Sequence, residues 1–185
     1  MSTETTFGPG ALATPSNFIT LLRVVITPIL MYSVDRHGST WSAFAIWTVL
    51  ASTDKVDGIL ARRQGVTRSG AFLDPLADKL MVFGLFAVLV ARNEIWWVPV
   101  LVMAARETWM SLYRSVLGRK GISVPARPLG KAKTFVQVIV IGLVLIPGVY
   151  GNAKVEIGVL VWIATLLALV SGYFYYADGR VRNSG

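Results

Sequence analysis

The stretch WSAFAIWTVLASTDKVDGILARRQGVTRSGAFLDPLADKL, residues 41–80, decides how this chain folds. Its first part, residues 41–53, is apolar but too short to cross a bilayer alone; a spanning helix needs about 20 residues. The helix it begins must continue through Asp54, Lys55, Asp57, Arg62 and Arg63. A second apolar run opens on Asp74, Asp78 and Lys79. A charge at the centre of a membrane helix costs roughly 2.5–3.5 kcal/mol on insertion scales, so four carboxylates would cost about 10 kcal/mol or more, less near the interface. Something must offset that cost, and a polar cavity that carries function is the usual answer.

Working outward, the whole chain fits a membrane setting. Of 185 residues, 54% are hydrophobic and 15% charged. That balance suits a small bundle of membrane helices within one domain. There is no cysteine, so disulfides and thiolate-ligated metals are excluded. The single histidine, His37, excludes a His-cluster zinc site and reads as a surface loop residue. The net charge of +8 reads as cytoplasmic loops facing anionic lipid rather than as nucleic-acid binding.

Six candidate spans cover roughly 17–34, 41–63, 72–92, 95–117, 131–150 and 155–177. Residues 1–14 read as a flexible tail, 15–178 as one six-helix membrane domain and 179–185 as a C-terminal tail. The Gly-, Pro- and Arg-rich residues 118–130 read as a loop. Basic residues concentrate after spans two and four and in the C-terminal tail, at Arg62, Arg63, Arg68, Arg114, Arg119, Lys120, Arg127, Lys131, Lys133, Arg180 and Arg182. The other loops carry about one each: Arg36, Arg92 and Lys154. The expected fold is therefore all-α, with six transmembrane helices and both termini cytoplasmic. Trp41, Trp96 and Trp97 fall at the opposite interface.

Helical periodicity then groups the acids. Asp54 and Asp57 share a face, and Gly70, Asp74 and Asp78 stack at a spacing of four. Facing carboxylates repel unless a cation lies between them. An oxygen-only donor set favours a hard ion, Mg²⁺ or Mn²⁺. Four carboxylates suffice for two ions about 3.5–4 Å apart, an arrangement suited to displacement at phosphorus. Gly58, Ala61 and Gly70 leave room for a ligand beside the acids, and Arg62 offers a charge partner for a diphosphate.

These residues resemble the signature of the CDP-alcohol phosphotransferase family, D-x2-D-G-x2-A-R-x8-G-x3-D-x3-D. All eight motif residues are present: Asp54, Asp57, Gly58, Ala61, Arg62, Gly70, Asp74 and Asp78. The gap from Arg62 to Gly70 holds seven residues where eight is usual, a one-residue loop deletion near Gly65. Further segments resemble those members whose acceptor is glycerol 3-phosphate: Pro15-Ser16-Asn17 through Val24, Ala105-Arg106-Glu107 with Arg114, and Leu129 through Gln137. The resemblance implies a homodimeric six-span enzyme with its active site at the cytoplasmic face. It implies that Asp54, Asp57, Asp74 and Asp78 hold two metal ions, and that Asp57, Gly58, Ala61, Arg62 and Gly70 bind the CDP group of CDP-diacylglycerol. It makes Asp78 the base for the acceptor hydroxyl.

Glycerol 3-phosphate carries a dianion, so its pocket should be cationic. Arg106 and Arg114 lie about two turns apart on one helix face. Lys131 and Lys133 open the next span across the basic loop. These four are the expected acceptor-phosphate residues. Arg23, inside the first span, stands between a substrate contact and a helix anchor, and Lys55 reads as a snorkelling residue. Rival readings are a cardiolipin synthase, a phosphatidylinositol phosphate synthase and, from another class, a divalent-cation transporter. The transporter reading lacks further acids continuing a path through the other spans.

Overall fold

The computed structural model describes residues 15–64, 68–119 and 128–183, with side chains from 18–53, 76–119 and 129–180. The proposed N-terminal tail, 1–14, lies outside the described residues. Among the described residues, six long helices and one short one follow in order: α1 (Pro15–His37), α2 (Trp41–Gln64), α3 (Arg68–Ala91), α4 (Trp97–Arg119), α5 (Pro128–Leu145), α6 (Val149–Asn152) and α7 (Lys154–Asn183). Among the described residues, two stretches are long and apolar enough to cross a bilayer, Phe18–His37 and Lys154–Arg180, and Trp41–Thr53 forms a shorter apolar run.

Three helix limits differ by four residues or more from those expected. α5 ends at Leu145 rather than near residue 150. Pro147 disfavours helix at the residue before it, and Gly148 takes a left-handed turn with φ of 82° before the single turn of α6. α3 starts at Arg68, four residues early, so it takes in part of the basic connection. α7 continues to Asn183, so most of the expected C-terminal tail is the end of this 30-residue helix. Of the expected loop 118–130, residues 120–127 lie outside the described residues.

Contacts at both ends fix how the helices run. Arg23 of α1 meets Asp78 of α3, while Arg92 at the end of α3 donates to the Asp35 carbonyl near the end of α1, so α1 and α3 are parallel. Trp96, just before α4, packs on Trp162, and Tyr113 packs on Tyr175, so α4 and α7 are parallel too. The motif halves on α2 and α3, the second half of α4, the start of α5 and the end of α7 therefore lie toward one end of the bundle. The core between the helices is apolar, centred on Leu30, Trp47, Phe86, Leu89, Met103, Ile141 and Ile157. The outer faces are apolar as well. Leu21, Val25 and Ile29 on α1, Leu101, Trp109 and Leu112 on α4, and Val159, Leu166 and Leu169 on α7 are all exposed. Apolar exteriors of this extent are a membrane or partner-facing feature. Trp41, Trp96 and Trp97, all exposed, cluster at the end opposite the motif.

Candidate active site

The backbone of α2 stays helical through Gln64, and that of α3 is helical from Arg68. Asp54 and Asp57 therefore sit at i and i+3 on one helix, and Asp74 and Asp78 at i and i+4 on the next. The side chains of Asp54, Asp57, Gly58, Ala61, Arg62, Gly70 and Asp74 lie outside the described residues, as does that of Lys55. Asp78 is described. Its Oδ1 accepts a hydrogen bond from Arg23 Nη1 at 2.5 Å. Arg23 is buried, at 2% exposure, whereas Asp78 keeps 41%. The buried guanidinium thus holds a carboxylate that stays partly exposed. Among the described residues no group of three metal-ligating side chains gathers. Oxygen-only carboxylates at one-turn spacing on continuous helices nonetheless suit a hard divalent ion.

Asp78 also lines a cavity of about 960 Å³. One arm is apolar, walled by Phe44, Trp47 and Ala51 of α2 and by Phe135, Val138, Ile139 and Leu143 of α5. Trp47 Nε1 donates to the Val138 carbonyl at 3.2 Å and ties these two walls together. The other arm is polar and is lined by Asp78, Arg106, Glu107, Arg114, Lys131, Lys133 and Ser171. All four expected phosphate-binding cations thus line the same cavity as the last acid of the motif.

The polar arm is built around Glu107. Its Oε1 accepts from Arg106 Nη1 at 2.5 Å and also from Lys133 Nζ. Lys133 is 7% exposed, Arg106 12% and Glu107 16%, so the three charges share a largely dry site. Two cations against one carboxylate leave a net positive charge there, which favours an incoming anion. Arg114 and Lys131 stand at the exposed rim, and the Arg114 guanidinium lies 5.3 Å from the Tyr175 ring centroid. Lys79, adjacent in sequence to Asp78, donates to Ser111 Oγ on α4, and that hydroxyl in turn donates to the Glu107 carbonyl at 2.9 Å.

Several members of this site carry no clear mark in the sequence. Ser171 and Tyr175 come from α7, whose apolar run gives no sign that it reaches a polar cavity. Ser171 accepts a hydrogen bond from Arg106 Nη2 at 2.9 Å. Arg23, open between two roles, is here the partner of Asp78. His37 is exposed at the end of α1, far from the site, with Nδ1 3.2 Å from the Ser33 carbonyl.

The family model described as CDP-alcohol phosphatidyltransferase matches residues 13–181. A Mycobacterium tuberculosis protein named "Probable phosphatidylglycerophosphate synthase" is 36% identical over 177 residues, covering 92% of this chain and 83% of that protein. Proteins named CDP-diacylglycerol–glycerol-3-phosphate 3-phosphatidyltransferase are similar as well. That of Shigella flexneri is 37% identical over 172 residues, 88% of this chain and 92% of its own. That of Rickettsia felis is 32% identical over 167 residues, 86% of this chain and 92% of its own.

Proposed function

The chain belongs to the CDP-alcohol phosphatidyltransferase family, and from that premise we propose that it transfers the phosphatidyl group of CDP-diacylglycerol to glycerol 3-phosphate, giving phosphatidylglycerophosphate and CMP. The observation that carries this reading is the shared cavity. Asp78 of the acidic motif and the cations Arg106, Arg114, Lys131 and Lys133 line one space. A phosphate-bearing acceptor held by those cations would present its hydroxyl toward the acidic helices.

The residue assignments follow. Arg106, Arg114, Lys131 and Lys133 hold the acceptor phosphate, with Arg106 as a planar fork and the lysines as point charges. Asp57, Gly58, Ala61, Arg62 and Gly70 bind the CDP group. Asp78, oriented by Arg23, takes the proton of the acceptor hydroxyl as its oxygen bonds to the β-phosphorus. The bond from that phosphorus to the CMP oxygen breaks, and CMP leaves with the electron pair. Asp54, Asp57, Asp74 and Asp78 would hold two divalent ions, Mg²⁺ with Mn²⁺ as the substitute. When bound, the ions neutralise charge on the diphosphate and the leaving group.

The setting is a multi-pass protein of the cell membrane, with residues 15–178 as one domain of six spans, both termini and the active site cytoplasmic, and two copies per assembly. The loop charges, the parallel pairs α1–α3 and α4–α7, and the apolar exterior support this topology. The decisive experiment incubates purified protein with CDP-diacylglycerol and, separately, glycerol 3-phosphate, phosphatidylglycerol or inositol phosphate, and measures CMP release. Release with glycerol 3-phosphate alone is expected. Release with one of the others instead would move the chain to another branch of the family.

A further inference from the structure

We propose that α7 takes part in acceptor recognition: Ser171 and Gly172, together with Glu107, seat the Arg106 guanidinium and so set the affinity for the acceptor's phosphate group. The inference rests on Arg106 being an acceptor contact and adds the residues that position it.

The guanidinium is gripped at both ends of its fork. Nη1 donates to Glu107 Oε1 at 2.5 Å, and Nη2 donates to Ser171 Oγ at 2.9 Å. Ser171 is 4% exposed, and its own hydroxyl lies 3.0 Å from the Ala168 carbonyl, to which it donates. Its proton is therefore committed along α7, and the oxygen presents only lone pairs to Arg106. One serine is thus polarised as a pure acceptor at the place where a cation arrives.

Gly172 supplies the space. A Cβ at this position would lie 2.8 Å from Arg106 Nε, 3.4 Å from Nη2 and 3.5 Å from Cζ. Every one of those near atoms belongs to the Arg106 side chain. Any larger residue would therefore displace the guanidinium rather than the helix backbone. Arg106 Nε is buried and has no hydrogen-bond partner, so its edge rests directly against the bare α-carbon. Because both ends of the fork are tied, a shift away from Gly172 breaks at least one of the two hydrogen bonds. The fork then loses the fixed plane that makes arginine a better phosphate partner than lysine.

The test is steady-state kinetics of the full chain in nanodiscs, with each substrate varied in turn. Gly172→Ala should raise the KM for glycerol 3-phosphate by about tenfold, the lower edge expected for a lost charge-assisted hydrogen bond. The KM for CDP-diacylglycerol should stay within about twofold. Gly158→Ala is the control on the same helix, since a Cβ there meets nothing within 4 Å. The effect of Gly172→Ala should largely vanish in an Arg106→Lys background, because the group it displaces is gone. An equal loss for both substrates, or an effect unchanged in the Arg106→Lys background, overturns the proposal and leaves Gly172 a packing residue. If Gly172→Ala does not yield folded protein, Ser171→Ala carries the same test: a raised KM for glycerol 3-phosphate alone supports the seat, and an unchanged one overturns it. Absence of CMP release by the wild-type protein with glycerol 3-phosphate is a different failure. It removes the acceptor assignment itself, and the seat with it.

Discussion

The two ends of the helix bundle use the same chemistry, a basic side chain on a carboxylate, for different work. At the motif end the pairs join helices: Arg23 of α1 reaches Asp78 of α3, and Lys133 of α5 reaches Glu107 of α4. Both Asp78 and Glu107 line the cavity. At the other end, Arg92 bonds Glu94, two residues along, at 3.0 Å, and the Asp35 carbonyl at 2.7 Å. Those bonds staple a turn in which Asn93 takes a φ of 58° and Tyr150 Oη reaches the Asn93 carbonyl at 3.5 Å. The first kind of pair leaves one group facing open space. The second closes a connection. Substitution should therefore change kinetics at one end and stability at the other.

The sharpest way to break this contrast is to remove the divalent ion. Exhaustive EDTA treatment should abolish CMP release, with recovery on adding Mg²⁺, and full activity in EDTA would strip the acidic half of its proposed role. Next in size is Asp78→Asn. It should lower kcat by roughly 10²–10⁴-fold, the range for general-base assistance, while CDP-diacylglycerol binding largely survives. Loss of binding as well would make metal ligation the main task of Asp78. Arg106→Ala should raise the KM for glycerol 3-phosphate by about 10–150-fold and leave that for CDP-diacylglycerol nearly unchanged. Lys131→Ala should do the same more weakly, and Arg119→Ala should do little, a gradient read from the same kinetics. The smallest catalytic effect belongs to Arg92→Ala. Its expected signature is a loss of about 1–3 kcal/mol of stability, seen in thermal unfolding, with both KM values unchanged. A substrate-selective KM change there would erase the distinction between the two ends.

For the acidic half, what the sequence could give was helix position, since helix geometry turns spacing into a shared face. Acids three or four residues apart share a face, so Asp54 pairs with Asp57 and Asp74 with Asp78, each pair on a helix that the structure bears out. The cations were partly legible, since a charge inside an apolar run, as at Arg106, needs a reason. What paired with them was hidden. Nothing in the local sequence says that Glu107 reaches across to Lys133, or that Ser171 and Gly172, set in an apolar helix, meet Arg106. Those contacts depend on which helices neighbour one another, and periodicity does not encode that. Hydropathy also carried α5 too far. The apolar residues around Pro147 look continuous with the span, yet the missing N–H and the left-handed Gly148 end it.

That early end of α5 has a mechanical meaning. Eighteen residues at 1.5 Å each make a rod of about 27 Å, close to the roughly 30 Å hydrocarbon thickness, whereas the thirty residues of α7 make about 45 Å. In the proposed six-span topology, α7 has length to spare for a thicker or tilted bilayer, whereas α5 has none. Lys131 and Lys133 stand at one tip of the short rod and Pro147 and Gly148 just past the other. In the proposed topology, Pro147, which lines no part of the cavity, sets from the opposite end of α5 the depth at which the exposed Lys131 stands.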